Sequence, residues 1–337
     1  MTLSSISREA AGVPVGAATA RAYVPAWVAD FTSGGMPAGC SFARASGARV
    51  IEAGGQAAVV AANTPRFDHD PDSGAPLGLL MENAATNYFL NSAAPVSQSC
   101  ALAAGTYTLW VDGGSCTVSA GSASGSGFGT ATADNPVTFS ITAAGSVDMV
   151  VGGSPGHVQC EGGAFATSRI ATGGSATTRD ADTLVMQSLG GMAFNQEGGT
   201  FVVAFRLGAA SVLSQRLLEL STGSYENRMV AGFAGTTNCR LQVCNGGAWV
   251  ADVIAGSVAV GQSIRFACRY NRDNTYAACF NGGSVATGGG ALPAGGFVDM
   301  AMGNGLYTSS FGLCGHLQRI AYFPRCMNDS ELEMLSR

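Results

Sequence analysis

The sequence predicts a mostly β protein: antiparallel β-sandwiches in tandem, a small jelly-roll-like one followed by a larger one, behind an N-terminal arm and hairpin. Three observations carry this. Of 337 residues, 48 are glycine and only 12% are charged, a balance that suits short strands joined by tight turns better than salt-bridged helices. Apolar and polar residues alternate over long stretches, most clearly in PVTFSITAAGSVDMVV from 136 to 151. Turn signals separate those stretches, among them Asn245-Gly246-Gly247, Asn271-Arg272-Asp273-Asn274 and Asn281-Gly282-Gly283. The length is too great for one small core, so more than one unit is expected.

Residues 1–90 read as an arm and hairpin unit. SREAAGVPVGAATARA suits a short helix interrupted at Pro14, and YVPAWVADF an extended apolar run around Pro25. Trp27 and Phe31 would otherwise be exposed, so the arm is expected to pack on another subunit or another protein of an assembly. SFARASGARVIEAGGQAAVVAA suggests two short strands around Gly54-Gly55. Next, Arg66-Phe67-Asp68 and Leu77-Gly78-Leu79-Leu80 read as strands flanking DPDSGAP, where Pro71 presets a turn and Gly74 takes positive φ.

That hairpin packs Arg66, Asp68, His69, Asp70 and Asp72 into seven residues. Aspartates beside a Pro-Asp-Ser-Gly turn accept backbone N–H bonds and cap it. A metal site of three consecutive strand residues would instead throw its middle ligand to the opposite face. The cluster is therefore read as structural, with Arg66 pairing either one of these aspartates or Glu82 on the facing strand.

Residues 91–178 form the small sandwich, with strands expected at 106–111, 115–120, 136–141 and 146–152. GSASGSGFGTAT is expected to be a long mobile loop between them. The polar stretch TGGSATTRDADTLVM marks a boundary, and 179–337 is the larger sandwich. Its strands are expected at 201–207, 216–222, 227–235, 239–244, 248–254, 263–270, 275–280, 297–303 and 316–323. Pro324 ends the last, and Asn328 with Glu331 forms a capping box for a short terminal helix.

Net charge is −5, every basic residue is arginine, and these are scattered singly, so nucleic acid is not an expected partner. No apolar run reaches membrane-spanning length and the start has no signal-peptide core, so a soluble protein made in a cytoplasm is expected. The ten cysteines lie far apart without a CxxC pair, which favours free thiols. Cys268 and Cys279 are read onto one face of a hairpin, where a bridge could form in an oxidising medium.

The hairpin SIRFACRYNRDNTYAACFNGG, the FVDMAMGNG strand and the closing GHLQRIAYFPRCMNDSELEML resemble the concanavalin A-like sandwich of laminin G type over 180–337. SFARASGA, NTPRFDHDPDSGAPLGLLMENAATNYFLNS and TGGSATTRDADTL are similar to head-spike and tail-fibre proteins of tailed bacteriophages and phage-derived particles. The resemblance implies a virion protein whose N-terminal region meets other virion proteins and whose distal sandwich binds host surface polysaccharide. It implies a homo-oligomer, with a trimer expected, since many weak contacts become adhesion through copies. A purely structural decoration or adaptor protein, and a capsule-degrading glycoside hydrolase, are the other readings.

Glycoside cleavage needs two carboxyls flanking the bond. Glu219, Asp252 and Asp299 each stand alone in their strands, and no nucleophile and base pair or G-x-S-x-G elbow is legible. His157 and His316 read as surface or edge residues. No catalytic residue and no metal ligand set is assigned, and no cofactor is expected. Calcium, which the laminin G resemblance raises, has Asn271, Asp273 and Asn274 as its nearest local candidates, and one hairpin turn with one carboxylate is a poor cage. Sugar binding needs aromatic faces and planar polar groups on the loops of a rigid sandwich. The candidates are Tyr225 with Asn227 and Arg228, Trp249, Asp273 with Asn274 and Tyr276, and Asn304 with Tyr307.

Overall fold

In the computed structural model the described residues are 23–208, 214–234, 237–308 and 311–337. Six strands come first: β1 (Trp27–Asp30), β2 (Cys40–Ala43), β3 (Ala48–Ile51), β4 (Ala57–Val60), β5 (Phe67–His69) and β6 (Pro76–Met81). β3 and β4 form a ribbon of their own, and β5 and β6 are the predicted hairpin. The helix expected before Tyr23 lies outside the described residues.

Ten strands then build the small sandwich: β7 (Ala85–Asn87), β8 (Gln98–Leu102), β9 (Gly105–Val111), β10 (Ser115–Ala120), β11 (Ser124–Ser126), β12 (Thr130–Thr132), β13 (Val137–Ala143), β14 (Gly145–Gly152), β15 (Val158–Gly162) and β16 (Thr177–Arg179). A sheet ordered β12-β10-β14-β8 faces one ordered β11-β13-β9-β15-β7-β16. Phe89, Leu109, Phe139, Ile141, Val147, Met149 and Cys160 fill the space between them. The glycine-rich stretch expected to be a mobile loop instead supplies β11 and β12, one strand to each sheet. Glycine permits this: a Cβ at Gly125 would collide with the carbonyl of Ser140 on the neighbouring strand.

β15 is buried on both faces because the chain after it folds back. Thr167 donates to Glu161 from its N–H (2.8 Å) and hydroxyl (2.5 Å), and Ile170 N–H donates to Gln159 Oε1 (2.7 Å). This cover also buries His157 completely, where the sequence placed a surface or edge residue.

The remaining strands are β17 (Thr183–Met186), β18 (Gly198–Leu207), β19 (Gln215–Ser224), β20 (Asn227–Ala234), β21 (Asn238–Asn245), β22 (Ala248–Ser257), β23 (Ser263–Asn271), β24 (Thr275–Phe280), β25 (Ala286–Gly289), β26 (Asp299–Met302) and β27 (Gly315–Phe323), followed by helix α1 (Asp329–Leu335). They sit in two sheets, β25-β24-β23-β18-β27-β6-β5 with β1 also on β27, and β2-β17-β26-β19-β20-β21-β22. Strict alternation in β18 sends Phe201, Val203, Phe205 and Leu207 into the space between the sheets, while Val202 meets the outer layer under α1. The predicted capping box is present: Asn328 Oδ1 accepts from Glu331 N–H (3.0 Å), and Asn328 N–H donates to Glu331 Oε2 (2.7 Å).

The mostly β, two-sandwich prediction therefore holds, but the boundaries at 90 and 178 do not describe the connectivity. Residues 27–81 are not a separate unit. β1 pairs with β27 (Trp27 opposite Tyr322), β2 with β17 (Phe42 opposite Leu184) and β6 with β27 (Leu79 opposite Leu317). Phe31, Leu79 and Met81 are fully buried in the large core, so the apolar arm packs on its own chain. Gly78 lets β6 approach, since at φ 108° it lies against the carbonyl of Leu317 where a Cβ would not fit. The small sandwich is thus inserted between β6 and β17 of the large one. A second correction concerns Cys268, which faces the main core, and Cys279, which faces α1; the two point to opposite sides of their sheet, so no bridge can join them.

The two crossings between sandwiches are held by buried charges. Arg66 Nη1 donates to Glu82 Oε2 (2.7 Å) and Ser168 Oγ (2.9 Å), and its Nη2 to Asp182 Oδ2. Arg44 Nη1 reaches the other oxygen of Asp182 (3.0 Å), and Arg179 Nη2 lies 3.4 Å from Glu82. Asp182 N–H donates to the Glu82 carbonyl (3.0 Å), and Glu82 N–H returns a bond to Asp182 Oδ2 (2.9 Å). Burial pushes the Glu82 carboxyl up, but the charges of Arg179 and Arg66 with the Ser168 bonds outweigh it and hold it down to about 2.

Arg66 of the hairpin cluster and Glu82 beyond the facing strand, then, serve the joint. Asp70 caps the turn, its Oδ1 accepting from Ser73 N–H (2.9 Å) and Oγ (2.8 Å). Asp68 accepts from Ile51 N–H (2.8 Å) and lies 2.8 Å from His316 Nε2, and His69 Nδ1 lies 3.1 Å from the Ile51 carbonyl. Both side chains therefore tie the hairpin to the β3–β4 ribbon, and Asp68 also ties it to β27.

Candidate functional site

The sheet that begins with β2 buries one face in the core and turns the other outward. On that outer face a row of residues runs across four strands or their tips. The register places Ser221 opposite Arg228, Arg228 opposite Cys244, and Cys244 opposite Trp249. Tyr225 stands in the β19–β20 turn. The tips of the β19–β20 and β21–β22 hairpins are joined by Gly247 N–H to the Glu226 carbonyl (3.0 Å) and Gly246 N–H to Asn227 Oδ1 (2.8 Å). Asn227 thereby fixes one hairpin tip against the other.

Three aromatic rings rise from this row, Tyr225 at 52% exposure, Trp249 at 45% and Tyr307 at 41%. Beneath them Arg228 is 3% exposed, its Cζ 3.8 Å from the Tyr225 ring centroid and 4.8 Å from that of Trp249. Tyr307 meets Tyr225 edge to face, with centroids 5.9 Å apart, and its hydroxyl lies 2.5 Å from Ser221 Oγ. Ser221 Oγ also accepts from Gly223 N–H (2.8 Å) and Ser224 N–H (3.1 Å), so one hydroxyl joins the turn to Tyr307.

The floor of the site is charged. Glu219 Oε2 accepts from Arg216 Nε (3.3 Å), and Glu219 Oε1 lies 3.9 Å from Arg228 Nε. Burial pushes the Glu219 carboxyl up against the pull of both arginines, and it pushes the Arg216 guanidinium down. Arg216 also stacks on Phe311, Cζ to centroid 4.8 Å. Arg228 Nε and Nη1 are buried and have no hydrogen-bond partner among the described residues.

Asp299 lies opposite Ser221, and Glu219 lies opposite Ala301. The two carboxyls, alone in their own strands, are therefore diagonal neighbours on one face. Burial raises the Asp299 carboxyl, with the Ser221 hydroxyl acting in the other direction.

The remaining predicted sugar contacts are elsewhere and employed otherwise. Tyr276 is buried in the core and donates its hydroxyl to the Gly290 carbonyl (2.8 Å). Asp273 accepts from Thr275 N–H (2.9 Å) and Oγ1 (2.6 Å), and Asn274, at φ 70°, accepts from Leu292 N–H (3.3 Å). These two complete the β23–β24 turn on the opposite sheet, and among the described residues no group of three His, Cys, Asp or Glu side chains could hold a metal ion. Asn304 is buried, accepting from Leu184 N–H (2.8 Å) and donating to the Gly305 carbonyl (3.0 Å). Ser221, Arg216, Glu219 and Asp299 were not predicted as part of the site. Only the period-2 alternation of β19 and β26, which sets them outward, could have drawn attention to them.

No protein-family model matches the chain, and no curated protein matches it. Among solved structures, it is similar to the CBM40 of the IT-sialidase from Ruminococcus gnavus, bound to α2,3-sialyllactose: 19% identity, 44% of this chain, 88% of that one, TM-score 0.38. It is also similar to domain 4 of AbnA, a GH43 extracellular arabinanase from Geobacillus stearothermophilus in complex with arabinotriose, with 10% identity, 52% and 81% coverage and TM-score 0.39. A third is the SAP-like pentraxin of Limulus polyphemus, with 8% identity, 41% and 68% coverage and TM-score 0.33.

Proposed function

We propose that this chain is a non-enzymatic polysaccharide-binding protein of a virion, a head spike or tail fibre that engages host surface glycan for adsorption. The observation that carries the binding role is the exposed platform of Tyr225, Trp249 and Tyr307, held over the buried Arg228 guanidinium. Rigid aromatic faces match the apolar C–H faces of sugar rings, and the hydroxyls and amides at the rim match sugar hydroxyls. Because Arg228 and Ser221 fix the rings beforehand, little side-chain freedom is lost on binding. The virion part rests on the sequence resemblance of 41–92 and 172–184. On this reading the particle presents the chain as a homo-oligomer, a trimer, which turns weak contacts into adhesion.

The test is binding of the full chain to purified bacterial surface polysaccharides, compared with Tyr225→Ala and Trp249→Ala. Loss in both variants, with unchanged melting, supports the reading. Unchanged binding in both would remove it, and a particle that assembles around a chain binding no glycan would favour the structural decoration role.

One observation favours a second reading. Glu219 and Asp299 are raised carboxyls on one face, the residue types that glycoside hydrolysis employs. Glu219, however, is covered and engaged by two arginines, which suits a floor better than a proton donor. Release of new reducing ends from a bound polysaccharide, abolished by Asp299→Asn, would establish it.

A further inference from the structure

We propose that the saccharide held on this platform is acidic, and that Arg228 receives its carboxylate. This rests on the platform reading above and adds the ligand's charge. The guanidinium carbon lies over the Tyr225 and Trp249 rings, and a cation–π contact of this kind spends no N–H donor on a hydrogen-bond acceptor. Two of its nitrogens, Nε and Nη1, are buried without a hydrogen-bond partner among the described residues. A buried cation with unspent donors is costly, and a native structure keeps one where something completes it.

Glu219 does not complete it. At 3.9 Å its Oε1 lies outside hydrogen-bond distance of Arg228, and its other oxygen is engaged by Arg216 at 3.3 Å. Two arginines thus share the Glu219 carboxylate, and the Arg228 donors stay unspent beneath the rings. The other acid on this face, Asp299, stands opposite Ser221 on the neighbouring strand, and its Oδ1 is buried without a hydrogen-bond partner among the described residues. A planar carboxylate meets a guanidinium through two parallel N–H bonds in the plane that stacking leaves open.

A hexuronic acid unit carries both required features on one ring: an apolar C–H face for the tyrosine or tryptophan, and a carboxylate at its edge.

The experiment titrates the full chain with polygalacturonate and with alginate, each as the free acid and as its methyl ester, which keeps the chain and removes the charge. The free acid is expected to bind at least about tenfold tighter, the range of a charge-assisted hydrogen bond. Arg228→Met is expected to erase that preference and Arg228→Lys to retain part of it. Should Arg228→Met not fold, a sodium chloride series on the native chain decides. Acid binding that weakens with salt while ester binding does not supports the proposal, and equal salt response overturns it. Equal affinity for acid and ester, lost in Tyr225→Ala, overturns the acidic assignment and leaves the platform standing. Binding to neither form of either polymer counts against both.

Discussion

Arg66 Nη1 stands 2.7 Å from Glu82 Oε2 at the place where the chain leaves one sandwich for the other, with both side chains buried. Sixteen residues separate the pair, yet the second acid on Arg66, Asp182, is 116 residues away. The ion pair therefore joins the outgoing crossing to the returning one.

Breaking that joint should be expensive. Glu82→Gln keeps the shape but leaves Arg66 and Arg179 buried with one acid fewer, a change that typically costs about 3–5 kcal/mol. Urea unfolding should show a large fall in midpoint, and limited proteolysis should cut between 82 and 84 or 180 and 182.

Asp70→Ala should do far less. Its carboxylate is exposed and serves only the turn through Ser73 and Asp72. The same urea series should place Asp70→Ala near the native midpoint, well above Glu82→Gln.

Stability should fall in two acid windows. His157 is buried with its Nε2 3.2 Å from Gln159 Oε1, and burial lowers its pKa from 6.5, so the folded chain resists protonation. The unfolded chain takes up that proton first, so stability from His157 is full above 6.5 and declines below it. Glu82, depressed from 4.5 to about 2, contributes above 4.5 and loses its contribution as pH falls toward 2. Melting temperature against pH should bend at both places, and Glu82→Gln should shrink the lower bend, leaving the smaller part that the lowered Asp70 and Glu331 carboxyls supply.

A fragment of 179–337 should not fold alone. It lacks β1, β2, β5 and β6, which would leave the β27 and β17 edges unpaired and remove Phe31, Leu79 and Met81 from the core. In the full chain, Leu79→Ala alone should cost about 2–5 kcal/mol. A fragment with a sharp cooperative melt would contradict the nested arrangement.

Much of the fold was legible because alternation and turns are local signals. β19 to β24 and β27 fall close to the expected ranges, and the Asn328 capping box lies where the sequence put it. What was not legible is long-range. Nothing local tells Leu79 that it will lie opposite Leu317, or Arg66 that its partner is Asp182. Short strands such as β7, β11, β12 and β16 exist only through their neighbours, since three residues give too little pattern to read. For the site, exposure divided the candidates: Tyr225, Trp249 and Tyr307 reach solvent, whereas Tyr276 and Asn304 have the same side-chain chemistry but are consumed by core and backbone bonds.

The most direct test is a structure of the full chain with a bound oligosaccharide from a polysaccharide it retains. An intact sugar ring should lie on Tyr225 or Trp249, with a polar group toward Arg228. A sugar bound at the β23–β24 turn or on the small sandwich, with the three rings bare, would contradict it.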